Sequence, residues 1–185
     1  MELRETELDG VVELRPTRHG DERGWFSEVW NEATLAELGI NIAWVQDNEA
    51  RSATAGTLRG LHFQVEPHAQ DKLVRAVQGR IVDVAVDLRQ SSATFGQHVC
   101  VELTEQLGNQ LLVPQGFAHG YCTLEPNTVI GYKVSGFYSP TCDRSLRWDD
   151  PELGIDWPVH KADAVLSNKD QVAPHLSEIE SLFFE

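Results

Sequence analysis

Residues 57–64 read TLRGLHFQ. Leu58, Leu61 and Phe63 give the run the apolar character of a strand, yet it also carries a guanidinium, Arg59, and an imidazole, His62. An imidazole titrates near neutrality, so it can take and return a proton, and it can also ligate a metal. A guanidinium stays charged and matches two oxygens of a phosphate or carboxylate at once. For the two to act together they must face one space, and strand geometry opposes that. Residues 59 and 62 differ in parity, so strict alternation sends them to opposite faces. Gly60 stands between them, and a bulge there would re-aim one of the pair. Without a bulge Arg59 points to the outer surface, the placement that the residues by themselves favour.

The elements that must hold these residues are mostly strands. In RIVDVAVDLR, residues 80–89, Val82, Val84, Val86 and Leu88 share one face while Asp83 and Asp87 take the other. KLVRAV precedes it through QGR, which reads as a hairpin turn with Gly79 free to take positive φ. HVCVEL, NQLLVP, HGYCTL and TVIGYKVSGFY follow, separated by Gly, Pro, Asn and Glu. Many short strands with few helices predict a mainly β sandwich or barrel. The best helix is NEATLAELG, where Asn31 can cap the start, Gly39 can end it, and Leu35 and Leu38 share a face. A second short helix is expected around HLSEIESLF, and the stretch after Pro151 reads as irregular chain packed along the barrel. With no internal repeat and no linker, residues 1–185 are read as a single domain.

Charge and composition narrow the function. A formal net charge of −14 opposes non-specific binding to nucleic acid or to anionic membranes. Residues 51–90 depart from that balance, with six Lys/Arg against four Asp/Glu, which suits a small anion as well as it suits a solvated surface. No apolar run approaches the ~20 residues of a membrane helix. The acidic N-terminus lacks the apolar core of a secretory signal, so a cytoplasmic location is expected. Three cysteines with no close pair argue against a disulfide framework or a zinc ribbon. Cys100 and Cys122 lie in strand-like runs and are expected to be buried thiols.

Two spacings point further. GNQLLVPQGFAH runs G-x5-P-x-G-x2-H from Gly108 through Pro114 and Gly116 to His119, and Gly56 precedes His62 in G-x5-H-x-Q. They resemble the paired motifs of the cupin superfamily, a double-stranded β-helix or jelly roll in which each His points into the barrel mouth. Metal-binding cupins use His-x-His, a nearby Glu and the later His. Here Gln64 stands at the second His, no Glu follows at that spacing, and His68 lies beyond Pro67 in a loop. Two imidazoles and an amide hold a divalent transition metal poorly. No metal or other cofactor is therefore expected, and His62 is read as an acid–base group.

A closer match extends over most of the chain. GDERGWFSEVWNE, VQDN, LRGLHFQ, AQDKLVRAVQGRIVDVAVDLR, TFGQHV, PQGFAHGY, YKVSGFYSP, WDDPELGIDWP and LSNKD follow in order. Together, from about residue 8 to 171, they resemble the dTDP-4-dehydrorhamnose 3,5-epimerase family. The resemblance implies a metal-free homodimer that inverts two carbons of dTDP-4-keto-6-deoxy-D-glucose. It implies that His62 is the general base, Asp170 the carboxylate that orients it, Tyr132 the proton donor on the opposite face, and Lys72 the cation near the ketone oxygen. Arg59 and His119 would line the sugar and phosphate region, with Gln46, Asn48, Asp143 and Lys169 as further substrate contacts. Arg23, Phe26 and Glu28 match a segment that crosses to the partner subunit and touches the nucleotide. The chain departs from the family's usual residues at Asp143 (Glu), Ala50 (Ser) and Trp25 (Phe), which bears on substrate fit. The alternatives are a single-carbon epimerase, a metal-dependent cupin enzyme, and a sugar-binding cupin without catalysis.

Overall fold

The structure, a computed structural model, describes residues 1–179 and Phe183. Its strands are β1 (Glu2–Glu5), β2 (Val12–Arg15), β3 (Arg18–Asp21), β4 (Gly24–Ser27), β5 (Gln46–Ser52), β6 (Leu58–Gln64), β7 (Lys72–Gln78), β8 (Arg80–Asp87), β9 (His98–Thr104), β10 (Gln110–Val113), β11 (Phe117–Thr123), β12 (Thr128–Val134) and β13 (Asp143–Ser145). A six-stranded sheet runs β1-β2-β10-β7-β12-β5 and a five-stranded sheet runs β13-β6-β11-β8-β9. Strands β3 and β4 form a two-stranded sheet of their own. Every pairing between these strands is antiparallel. The two large sheets close face to face as a jelly roll of the cupin type.

The sheets bury both faces. Between them lies a core in which Val74, Leu111 and Ile130 meet Ile81, Leu103 and Phe117. Helix α1 (Glu32–Glu37) covers the outer face of the six-stranded sheet. Asn31 caps it by accepting hydrogen bonds from the backbone of Ala33 (2.9 Å) and Thr34 (3.2 Å), and Gly39 leaves it at φ +84°. Leu35 then packs with Leu14, Leu73 and Leu112, burial worth about 1.5–3 kcal/mol for the one side chain. The chain after Pro151 is irregular, as expected, and lies along the outer face of the five-stranded sheet. Leu153 and Trp157 pack there on Leu58, Val84 and Val86, and Trp157 Nε1 donates to the carbonyl of Trp148 at 2.8 Å.

Three points bear on the expected elements. First, the alternation expected in residues 80–89 holds, and the face carrying Asp83 and Asp87 is the inside of the barrel: both are fully buried. Second, QGR is not a hairpin. Gly79 takes φ +78°, yet β7 pairs with β10 and β12 while β8 pairs with β11 and β9. A one-residue connection bends the chain from one sheet into the other, and the turn is closed by Glu105, whose Oε2 accepts from Gly79 N at 2.8 Å. Third, Cys100 is exposed, because it shares with Glu102 the outer face of the edge strand β9; Cys122 is buried.

Two short helical turns complete the C-terminal region. Helix α2 (Asn168–Gln171) was not anticipated; Ser167 caps it by accepting from Asp170 N at 3.2 Å. Of the helix expected around HLSEIESLF, a 3-10 turn at Leu176–Glu178 is present, and residues 180–182 lie outside the described part. Among the described residues no helix is long and apolar enough to cross a membrane.

Candidate active site

Three central strands, β6, β11 and β8, lay out the site in two rows. Arg59 stands opposite Tyr121, and Tyr121 opposite Asp83; in the next row His62 stands opposite His119, and His119 opposite Ala85. Between the rows β11 advances two residues while β6 advances three, so β6 carries one extra residue. That residue is Gly60, at φ +129°. A Cβ there would lie 2.5 Å from Gly120 Cα and 2.9 Å from the His119 carbonyl, so only glycine fits. The extra residue resets the alternation. Leu58, Leu61 and Phe63 all reach the outer layer, while Arg59 and His62 both line a cavity on the inner side.

Each histidine has a carboxylate behind it. His62 Nε2 and Asp170 Oδ1 are 2.6 Å apart, and the second oxygen of Asp170 accepts from Ser167 Oγ at 2.7 Å. Burial alone would raise the Asp170 pKa, but the bonds from His62 and Ser167 outweigh it and hold the carboxyl below its usual range. An ionised Asp170 fixes the ring, leaving the other imidazole nitrogen of His62 open to accept a proton. His119 Nε2 lies 2.8 Å from Asp83 Oδ1, and the other oxygen of Asp83 is buried without a partner.

Lys72, the first residue of β7, faces the two pairs from the opposite sheet. Its Nζ donates to the His62 carbonyl at 3.1 Å. Desolvation pulls its pKa from 10.5 to about 8, against the pull of Asp83 and Asp143. Tyr132, on β12, is half-buried, and burial raises its phenol above the ordinary 10 despite the nearby Arg59. With an open imidazole, an ammonium and a protonated phenol around it, the cavity of about 450 Å³ can take a proton from carbon, steady the charge that develops, and return a proton.

A second chamber of about 400 Å³ adjoins the first and shares His62, Lys72 and Tyr132 with it. Gln46 and Asn48 reach it from β5, where they sit on the inward-facing positions of a strictly alternating edge strand, 2.7 Å from each other. Asp143 and Lys169 close its other side as an ion pair at 2.6 Å. Gln64 also borders it, but its amide is engaged: it donates to the carbonyls of His68 and Phe137 and accepts from Ser139 N at 2.7 Å. Among the described residues no three His, Cys, Asp or Glu side chains converge on a point that could hold a metal ion.

Ten of the thirteen expected site residues therefore line the two chambers. Arg23, Phe26 and Glu28 do not. Arg23 and Phe26 project on the β3–β4 hairpin and Glu28 just after it; Arg23 pairs with Asp21 and Phe26 is 70% exposed. Sequence reasoning missed Asp83, Tyr121 and Ser167. Tyr121 lines the first cavity with its hydroxyl buried and unpartnered. The signal for Asp83 was present: an Asp pair on one face of a strand whose other face is all Val and Leu has to be inside once both faces are covered.

The chain is similar to known proteins over most of its length. A family model described as dTDP-4-dehydrorhamnose 3,5-epimerase matches residues 5–178. The chain is 52% identical over 166 residues to a Sinorhizobium fredii protein of that name, covering 90% of this chain and 85% of the relative. The Bacillus anthracis dTDP-4-dehydrorhamnose 3,5-epimerase, solved with TDP and pyrophosphate bound, superposes with a TM-score of 0.92 at 47% identity, covering 95% of this chain and 99% of that one. A Legionella pneumophila epimerase solved with dTDP-4-keto-L-rhamnose superposes with a TM-score of 0.94 at 40% identity, covering 100% of this chain and 98% of that one. With the match running from β1 to the last helical turn, the chain belongs to the dTDP-4-dehydrorhamnose 3,5-epimerase family.

Proposed function

We propose that this enzyme inverts carbons 3 and 5 of dTDP-4-keto-6-deoxy-D-glucose to give dTDP-4-keto-L-rhamnose. The observation that carries the proposal is the Asp170–His62 pair opening onto the cavity that Lys72 and Tyr132 share. A hydrogen on the carbon beside a ketone leaves as a proton when the developing enolate oxygen meets fixed positive charge. The open nitrogen of His62 takes that proton, and Asp170 steadies the imidazolium. Lys72 supplies the charge at the oxygen. Tyr132, kept protonated by burial, returns a proton to the opposite face of the ring, which inverts the carbon. Only protons move.

Arg59 then faces the diphosphate, where a planar fork suits two oxygens, with His119 beside the sugar. Gln46, Asn48, Asp143 and Lys169 serve as further substrate contacts in the second chamber. Arg23, Phe26 and Glu28 stand outside both chambers, which supports a homodimer in which the hairpin of one subunit serves the site of the other.

The test is incubation with the substrate in deuterated water, with the label located by NMR. Deuterium at carbons 3 and 5 is expected, and His62→Ala should bind dTDP yet incorporate none. Incorporation by His62→Ala would refute the assignment of the base. Label at one carbon would point to a single-carbon reaction, and Ala50 and Asp143 would come under suspicion first, since each departs from the family pattern and lines a chamber.

A further inference from the structure

The β3–β4 hairpin poses a physical problem. It consists of two four-residue strands paired only to each other, and a lone two-stranded ribbon is marginal in water. Its internal bonds, Arg23 to Asp21 at the tip and Ser27 Oγ to the Thr17 carbonyl at 2.9 Å, do not fix its direction relative to the barrel. Among the described residues, the hairpin side chain that bonds to the body is Arg18. Its Nη1 donates to the Gln106 carbonyl at 2.6 Å and its Nη2 to the Glu105 carbonyl, both in the turn between β9 and β10. The same guanidinium stacks on Trp25 at 3.9 Å from the ring centre, so one group joins β3, β4 and the barrel. The turn is shaped to receive it: Gly108 sits at φ +64°, and a Cβ there would lie 2.6 Å from Arg18 Nη2.

We infer that Arg18 is a positioning residue, a clamp that holds the hairpin in the direction from which Arg23, Phe26 and Glu28 reach the nucleotide in the partner's site. The inference rests on the cross-subunit reading given above. Arg18 touches no cavity residue and takes no part in the proton chemistry. Its effect is on the fraction of time the hairpin is in place, and an affinity falls in proportion to that fraction.

The variants are Arg18→Met, which keeps the stem and removes the fork, and Gly108→Asn, which tolerates positive φ and fills the space of the guanidinium. Either change should weaken dTDP binding by calorimetry, and raise KM, about tenfold as the docked fraction drops to a minor one. In both, kcat should stay within about twofold and the melting temperature near that of the parent, because the clamp lies outside the barrel core. Arg18→Lys, with one donor head and no planar fork, should fall between. Unchanged dTDP affinity in both variants overturns the clamp, as does a loss of kcat at unchanged KM. Calorimetry needs no turnover, so failure of the epimerase reading, seen as an inert parent enzyme, is separable from failure of the clamp. Mixing Arg18→Met with His62→Ala chains adds a second readout. Hybrid dimers would contain sites with an intact His62 and an intact partner hairpin, and a return of the parent KM at those sites is expected; no return overturns the proposal.

Discussion

Lys72 holds a charge where the fold resists it, and replacing it should raise stability while removing activity. Its ammonium pKa falls from 10.5 to about 8 in the native chain, with desolvation as the main cause. Below pH 8 the group is charged in both folded and unfolded chains, and the native state carries the full penalty, about 3 kcal/mol at ~1.4 kcal/mol per pKa unit. Between pH 8 and 10.5 the native chain releases the proton while the unfolded chain keeps it, so the unfolded state binds more protons and stability rises with pH. Lys72→Met retains the stem without the charge. It should therefore exceed the parent in stability by up to about 3 kcal/mol at pH 7, or about 6–12 °C in melting temperature for a chain of this size. The gap should close as pH approaches 10.5. Urea unfolding of both proteins from pH 6.5 to 10.5 measures it. A Met variant less stable than the parent at pH 7, or a gap that ignores pH, would refute the reasoning. Turnover should move the other way: lost in the variant, and in the parent falling as pH rises through about 8, where Lys72 loses the charge proposed to face the ketone oxygen.

Two further outcomes test the site. Tyr132→Phe should slow net inversion by about a hundredfold or more, in the range of a general-acid contribution, while solvent deuterium still exchanges at the acidified carbon; equal slowing of both would remove Tyr132 from the role of opposite-face donor. Gly60→Ala places a methyl group 2.5 Å from Gly120 Cα at φ +129°, so a loss above about 2 kcal/mol or failure to accumulate as folded protein is expected, and a variant as stable as the parent by thermal melting would contradict the close approach of β6 and β11.

Much of the fold was legible because its punctuation is local. Asn31 and Gly39 bound α1, Pro114 and Gly116 set up β11, and the alternation of residues 80–89 was read in the right phase. What failed were questions of partnership. A single glycine between two strand-like runs reads as a hairpin, since nothing local tells that β7 and β8 belong to different sheets. Cys100 looked buried because its strand is apolar on both sides, but β9 is an edge and one face of it stays open. For the site, the ordered motifs named ten residues that line the chambers, whereas Tyr121 enters through its cross-strand register with Arg59, and Asp83 through its register with Tyr121 and its bond to His119. Alternation alone sends Arg59 outward; the structure turns it inward by the bulge at Gly60.

That bulge has a consequence for how the site can vary. Strand β6 is two short strands joined out of phase, one ending in Arg59 and the other beginning at Leu61. No exchange of one side chain for another can restore a common phase, since only the count of residues sets it. Removing a residue there would send Arg59 or His62 to the outer layer and turn the apolar residues of the same half, Leu58 or Leu61 and Phe63, from the outer layer to the inner side. Arg59 and His62 are therefore inherited as a unit, free to change in kind but not in relative direction, and the most consequential feature of TLRGLHFQ is the length of the interval between them.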